Sequence, residues 1–447
     1  MDRNLADLLI CPFSRGPLQL EVFDKEGDRI EWGVLHGEGA EFPIISGVPL
    51  FELGKSNIVQ NIRRGQRSIA AAQACFDTAP LGVLGHLTEV VKDSGRIGRR
   101  LGNRMEQWRR RRFSERIAAE LFTRDGEQRK SAKALFELGY QKIKRRAQEN
   151  YHYNYTRFGL PTHFVGLAYI AGMSRTSGYL MDHCCGAGHL TRHIAQFHGR
   201  PERVVGYDQS FFSLYVASTC ISPGANFVCG HPDAAPFRDG SFTCVLNVDA
   251  FLNFSRKWTA LNVIERILTS DGEVLLVWLK NSKSHHLYPG KPLTPSAYSN
   301  LVQHLPHRVL PDTVTLRRFL DGKGVDASFQ APMEELDRET TFSIWAFKSD
   351  PVFQECPPIG AWPQAEGKLA VNPIYRVVGT TQKGVEYELR FPSEFYRDED
   401  KNAKYYYPQR FVLTDVHKKA LEANDRVPLD HLIRTGAVLG FPEHYHA

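Results

Sequence analysis

The chain has 447 residues, 42% hydrophobic and 24% charged, with a formal net charge of +6. That balance excludes a disordered or fibrous chain and, at roughly 100–200 residues per domain, predicts two to four globular units. No apolar run reaches the ~18 residues of a membrane-spanning helix. The opening residues carry Asp2, Arg3 and Asp7 without a signal-peptide core, so a cytoplasmic site and no membrane partner are expected. The cysteines, Cys11, Cys75, Cys184, Cys185, Cys220, Cys229, Cys244 and Cys356, form no C-x-x-C pair, and most lie in apolar, strand-like runs. There a free thiol behaves as a small hydrophobe, so neither a disulfide framework nor a metal site is expected.

Residues 1–53 read as a small β domain. Leu18 to Val22 alternates at strand period, Gly27 marks a turn, and Ile30, Trp32 and Val34 alternate again before Phe42–Phe51 closes the unit. Leu9-Ile10-Cys11-Pro12-Phe13-Ser14 at its start and Phe42-Pro43-Ile44 with Gly47-Val48-Pro49 at its end resemble the zinc-ribbon-like domain of the tRNA-methyltransferase activator type. Ser14 stands where that family has its second cysteine, and no later pair follows. Tetrahedral zinc needs four ligands, so the resemblance implies a domain that has lost its metal.

Residues 54–149 read as a basic helical region or lid. Phe136, Tyr140, Ile143 and Ala147 fall on one helical face. Between Lys92 and Arg146 there are 18 Lys and Arg against 7 Asp and Glu, an excess of +11 that leaves the rest of the chain at −5. Arg109-Arg110-Arg111-Arg112 is the densest point. Such a run is ordinarily a solvated helical face; the sharper reading is a dock for an acidic partner such as nucleic acid or an acidic carrier protein.

Residues 150–350 alternate strand and helix patterns, which predicts a parallel sheet covered on both faces. Gly178-Tyr179-Leu180-Met181-Asp182-His183-Cys184-Cys185-Gly186-Ala187-Gly188-His189 reads as a strand, a glycine-rich turn and a helix start. Val204-Val205-Gly206-Tyr207-Asp208 is a second strand ending in a carboxylate, placed to take vicinal ribose hydroxyls. Asn226–Gly230 forms a third, Pro236–Leu246 leads into a fourth, Ile267–Val277 gives a turn and a fifth, and Phe342, Ile344 and Ala346 alternate in a late strand.

This order resembles the class I S-adenosylmethionine (SAM)-dependent methyltransferases, with their "D-x-G-C-G-x-G", "G-x-D" and "L-P-F-x-D-x-S-F-D" segments. The resemblance implies an α/β, Rossmann-like fold and SAM as cofactor. By position it implies that Asp182, Cys184, Gly186 and Gly188 cradle the methionine end, Asp208 the ribose, and Gln209, Gly230 and His231 the adenine. It also implies that Asn247 approaches the methionine moiety or the sulfonium. Cys184 stands at the family's first glycine, His231 at an aspartate, Thr243 at the aspartate after Phe242, and Ala235 at the leucine before Pro236.

Methyl transfer needs positioning and a dry cavity, and a base only where the acceptor loses a proton. The ends of the fourth and fifth strands draw attention to Asn247, Asp249, Phe251 and Asn253, and to Lys280, Asn281, His285, His286 and Tyr288, with His286 as the base. The aromatic run Tyr151–Phe158, above all Tyr151 and Tyr155, is placed to fold over the cofactor and stabilise a sulfonium by cation–π attraction.

Residues 351–447 read as an accessory α+β domain beyond a proline-marked linker, with a hairpin at Gln382-Lys383-Gly384 and a helix over 413–424 with Thr414 or Asp415 near its cap. The expected function is methyl transfer to a small-molecule or carrier-bound metabolite, as in secondary metabolite biosynthesis. The alternatives are a SAM-consuming cyclisation with methylthioadenosine release, as in azetidine-2-carboxylate formation, and RNA methylation.

Overall fold

The computed structural model describes residues 1–76, 95–121, 130–143, 148–174, 177–285, 290–358, 362–399 and 406–446. At the N-terminus β1 (Gln19–Glu26), β2 (Arg29–Gly37), β3 (Ala40–Ile45) and β4 (Val48–Pro49) form an antiparallel meander where the alternating residues predict strands. Gly27 takes φ 57° in the β1–β2 turn, where glycine carries no steric cost. The meander is fastened to the central sheet: Phe51 N–H donates to Cys229 O at 2.8 Å, and Ile10 N–H to Pro236 O at 2.9 Å. It thereby covers a sheet edge whose backbone groups would otherwise be open to pairing.

Helices α1 (Ser56–Arg63), α2 (Arg67–Cys75) and α3 (Gly95–Leu121) follow. The long basic helix α3 buries Phe113, Ile117, Ala118 and Leu121. Its outer face carries exposed Arg111 and Arg112, with Arg111 paired to Glu115 at 2.9 Å. Phe136 and Tyr140 are buried as expected, although the helix widens into a π turn over Glu137–Ile143; Ala147 lies outside the described residues. Then come α4 (Gln148–Thr156) and α5 (Pro161–Gly172), the latter with Pro161 at its first position, where its missing N–H costs nothing.

The central sheet uses β5 (Tyr179–His183), β6 (Val204–Asp208), β7 (Asn226–Cys229), β8 (Phe242–Val248), β9 (Leu268–Lys280), β10 (His307–Pro311) and β11 (Thr341–Phe347), in the order β10-β11-β9-β8-β5-β6-β7. Strands β5 to β9 are parallel, joined by crossovers that include α6 (His189–His198) and α7 (Lys257–Ile267). The sheet is mixed rather than wholly parallel: β11 runs antiparallel to β9, and β10 antiparallel to β11. Hydrophobic period reports burial and carries no strand direction, which is why the sequence pattern missed this. The turn expected at Thr269–Gly272 is absorbed into β9 as a register shift opposite Phe242–Cys244.

The C-terminal residues form a β12 (Lys368–Val371) and β16 (Val438–Phe441) pair beside the three-stranded sheet of β13 (Tyr375–Thr381), β14 (Gly384–Leu389) and β15 (Arg410–Leu413). Helix α8 (Asp312–Leu320) belongs to the central layer, and α9 (Glu394–Glu399) and α10 (Asp415–Glu422) to this unit. Thr414 caps α10 in a capping box with His417. Tyr445 packs back against α4, its hydroxyl donating to Asn154 O and Tyr155 O, each at 2.9 Å. No described helix is long and apolar enough to cross a membrane.

Candidate functional site

A cavity of about 560 Å³ opens at the carboxyl ends of β5, β6, β8 and β9, where open α/β sheets bind ligands. Asp182 ends β5. Its Oδ2 accepts a 2.6 Å bond from Thr191 Oγ1, and burial raises its carboxyl to about 6. The following turn is pinned to β6 by Cys184 N–H and Cys185 N–H, which donate to Tyr207 O at 2.7 and 3.1 Å. Asp208 ends β6. Its Oδ2 accepts from Gly186 N–H at 2.9 Å and its Oδ1 from Ser210 N–H at 2.8 Å. Each carboxylate oxygen retains a further lone-pair direction for a ligand. Burial raises this carboxyl too.

The opposite wall comes from α4 and the short turn after it. Glu149, Asn150, Tyr153, Asn154 and Arg157 line the cavity at helical spacing. Arg157 is 5% exposed. Its Nη1 stands 3.7 Å from Asp249 Oδ2, and its guanidinium carbon lies 4.8 Å from the Tyr153 ring centre. Arg157 Nη1 and Asp249 Oδ1 are buried and have no hydrogen-bond partner. Buried polar atoms are normally paired, so two opposite charges left open on one cavity wall mark a place for a ligand with matching groups.

Backbone strain gathers at the strand ends that face α4. Cys184 (φ 62°), Asp249 (φ 58°) and Trp278 (φ 62°) all hold left-handed conformations and all line the cavity. Non-glycine residues there cost about 1–2 kcal/mol each, and such strain clusters at functional sites. The loop after β8 is held by Lys257, whose Nζ donates to Leu252 O (3.1 Å), Phe254 O (2.9 Å) and Lys291 O (2.7 Å). Asn253 and Phe254 of that loop reach the cavity.

Of the residues singled out from sequence, Asp182, Cys184, Gly186, Asp208, Gln209, Asp249, Asn253 and Lys280 stand on the wall. Others do not. Asn247 is fully buried beneath it, its Nδ2 contacting His183 Nδ1 at 2.9 Å and donating to His183 O at 3.1 Å, so it positions the β5 end without reaching the cavity. Gly188 faces inward: an added Cβ would meet Ala217 Cβ at 2.9 Å, whereas at Gly186 it would meet nothing within 4 Å. Gly230 lies against the Tyr207 hydroxyl, and His231 caps the next turn by accepting from Asp233 N–H at 3.2 Å; Pro232 lines the cavity in their place.

Tyr151 and Tyr155 are a helical turn apart on the other face of α4 and stack at 5.7 Å. Tyr155 continues into a 6.0 Å stack with Tyr445 and a 3.2 Å bond to His446 Nδ1. That aromatic column leaves Tyr153 as the tyrosine of the run that faces the cavity. Phe251 is core, and Asn281 is turned to the carbonyls of Leu336, Asp337 and Glu339. His285 is exposed, and His286 and Tyr288 lie outside the described residues. The imidazole that does line the cavity is His189, lowered to about 3 by burial and bonded through Nε2 to the Tyr445 hydroxyl at 3.3 Å.

Arg157, Glu149, Trp278, Phe395 and Tyr396 also line the wall and were not singled out from sequence. Arg157 closes the aromatic run that was noted, and its charge beside Tyr153 was the available signal. Tyr396 sits 247 residues from its partner Glu149 and carries Phe395 beside it, a contact no local pattern encodes.

Residues 181–276 match the family described as a methyltransferase domain. No curated protein matches the chain. Among solved structures it is similar to the plantazolicin methyltransferase BpumL in complex with a monoazolic desmethylPZN analog and SAH, at 14% identity over 49% of this chain and 95% of that one, TM-score 0.37. It is also similar to a SAM-dependent methyltransferase from Aquifex aeolicus (12% identity, 40% and 86% covered, TM-score 0.29) and to the [4+2]-cyclase SpnF (16%, 41% and 80%, TM-score 0.31).

Proposed function

From a central methyltransferase domain whose cofactor is SAM, we propose that the chain transfers a methyl group to a small-molecule acceptor, free or carrier-bound, held inside the cavity. The observation that carries this is Arg157 Nη1, buried on the cavity wall without a hydrogen-bond partner, which fits the carboxylate of an amino acid. SAM ends in such a group and, when bound, supplies an electrophilic methyl on a sulfonium.

In this reading Arg157 takes the carboxylate and Asp182 with the Gly186 turn receives the ammonium side. Asp208 accepts from the ribose hydroxyls, and Gln209 and Pro232 border the adenine. Tyr153 and Trp278 offer aromatic faces to positive charge. Asp249 has a free oxygen, and burial raises its carboxyl. It is the group we assign to accept a proton from an acceptor that must lose one, because His189 is held neutral by burial and committed to Tyr445. Cys184 and Cys185 thiols are raised well above 9 by burial and stay protonated.

We read the chain as four units, 1–53, 54–149, 150–350 and 351–447. The first is a metal-free relative of the activator-type ribbon that buttresses the β7 edge. Incubating the protein with SAM and candidate acceptors, and identifying the nucleoside product by mass spectrometry, tests the reaction. S-adenosylhomocysteine formed only with an acceptor supports methyl transfer. Methylthioadenosine formed without one would replace it with cyclisation or cleavage of the aminocarboxypropyl arm.

A further inference from the structure

The C-terminal unit contributes to the cavity itself. Helix α9 places Phe395 and Tyr396 on the lining, opposite the strand ends. Tyr396 is 5% exposed. Two hydrogen bonds fasten α9 to α4: Ser393 Oγ donates to Glu149 Oε2 at 2.9 Å, and the Tyr396 hydroxyl donates to Glu149 O at 3.1 Å. Glu149 and Asn150 are themselves wall residues. Along α4, Glu149 stands about two turns, ~12 Å, before Arg157. The α9 contact therefore closes the end of the cavity away from the charged pair.

The rest of the unit fixes where α9 can stand. Asn372 Nδ2 donates to Gly436 O at 2.8 Å, and Gly159 approaches so closely that an added Cβ would lie 2.1 Å from Asn372 Oδ1. Ala132 N–H and Lys133 N–H donate to His444 O and Tyr445 O at 2.8 and 3.0 Å. The C-terminal unit is thus bonded to the elements on both sides of α4, and the roof has a fixed seat.

Resting on the cofactor reading above, we propose that Phe395 and Tyr396 are the roof of the SAM site: cofactor and acceptor enter and leave past α9, and the acceptor is a small molecule selected by this aromatic wall. An aromatic roof excludes water from a sulfonium while its ring faces tolerate the positive charge.

Release of S-adenosylhomocysteine, followed by stopped-flow displacement from the full-length protein, tests the roof. Phe395→Ala should release it roughly tenfold faster, since changes at one interface act mostly on dissociation. Phe395→Leu, which keeps an apolar roof, should stay near the wild-type rate. Tyr396→Phe and Ser393→Ala, which cut the two anchors and spare the core, should fall between, with melting temperatures close to wild type. Wild-type binding with unchanged release in all four variants overturns the roof alone. Failure of the wild type to bind S-adenosylhomocysteine overturns the cofactor reading and the roof with it.

Discussion

Arg157 and Asp249 face each other across 3.7 Å on the cavity wall, one from the turn after α4 and the other from the end of β8, and each keeps a buried polar atom without a hydrogen-bond partner. The ion pair is half made, and the unmade half is available to a ligand. Arg157→Met removes a charged hydrogen bond of about 1.5–3 kcal/mol, so the Kd for S-adenosylhomocysteine should rise roughly tenfold to a hundredfold by calorimetry. Arg157→Lys should recover only part, because an ammonium lacks the planar fork. An unchanged Kd in Arg157→Met would remove Arg157 from the site.

Cys184 holds φ 62° where the resembled family has glycine. Cys184→Gly relieves about 1–2 kcal/mol of local strain against roughly 0.4–1 kcal/mol of added chain entropy in the unfolded state. Its melting temperature should match or slightly exceed wild type. Cys184→Val, β-branched in the same conformation, should melt several degrees lower. Equal melting temperatures for the two would show that the left-handed turn costs nothing here.

The strand-and-turn skeleton of this site was legible because its signals are local. Apolar runs ending in Asp182, Asp208 and Asp249 mark strand ends, and Gly186 marks a turn. What was not legible is long-range or directional. Asn247 reads as a strand-end polar group but turns under the wall to His183. Tyr151 and Tyr155 belong to the right aromatic run, but helical phase sends them to Tyr445 and leaves Tyr153 and Arg157 facing the ligand side. Strand β11 carries an alternating pattern, yet all seven of its positions are buried and its direction is set by its neighbours. Phe395 and Tyr396 reach the cavity only because the C-terminal unit docks on α4.

Three buried histidines surround Phe158: His163, His189 and His193, with ring centres 5.2, 4.7 and 5.8 Å away. Burial lowers His189 and His193 to about 3 and His163 well below 6.5, and it lowers His183 to about 4. The unfolded chain takes up these protons near 6.5 and the folded one does not. Stability from these groups is therefore full above 6.5 and lost as pH falls, by up to about 1.4 kcal/mol per pH unit for each. Asp182, raised to about 6, and Asp312, raised to about 8 by burial, act oppositely and lose stability as pH rises above their unfolded values. Asp208, Asp249 and Glu339 are raised as well, but His446, lowered to about 4, and the lowered His152 and His198 keep the histidines in the majority below 6.5, so stability should peak near pH 6.5 in thermal melts. His193→Leu should shallow the acid side, and an identical slope would show the cluster is not the cause.

Lys257 ties the loop that carries Asn253 and Phe254 by three carbonyl bonds. Lys257→Met removes all three bonds, leaves Leu252 O with only its bond from Lys291 N–H at 3.0 Å, and should cost about 1.5–3 kcal/mol in urea denaturation. Its Kd for S-adenosylhomocysteine should weaken as well, because the wall shifts. Lys257→Arg should be milder on both readouts. Full stability in Lys257→Met would show that the loop holds its own shape.

The most direct measurement is calorimetric titration of the full-length protein with S-adenosylhomocysteine, alongside Asp208→Ala. The expected result is one site per chain for wild type and loss of at least tenfold in affinity for the variant, since Asp208 closes the turn through Gly186 and is the residue we assign to the ribose. No heat with wild type, or equal binding by Asp208→Ala, would contradict a cofactor seat between Asp182 and Asp208.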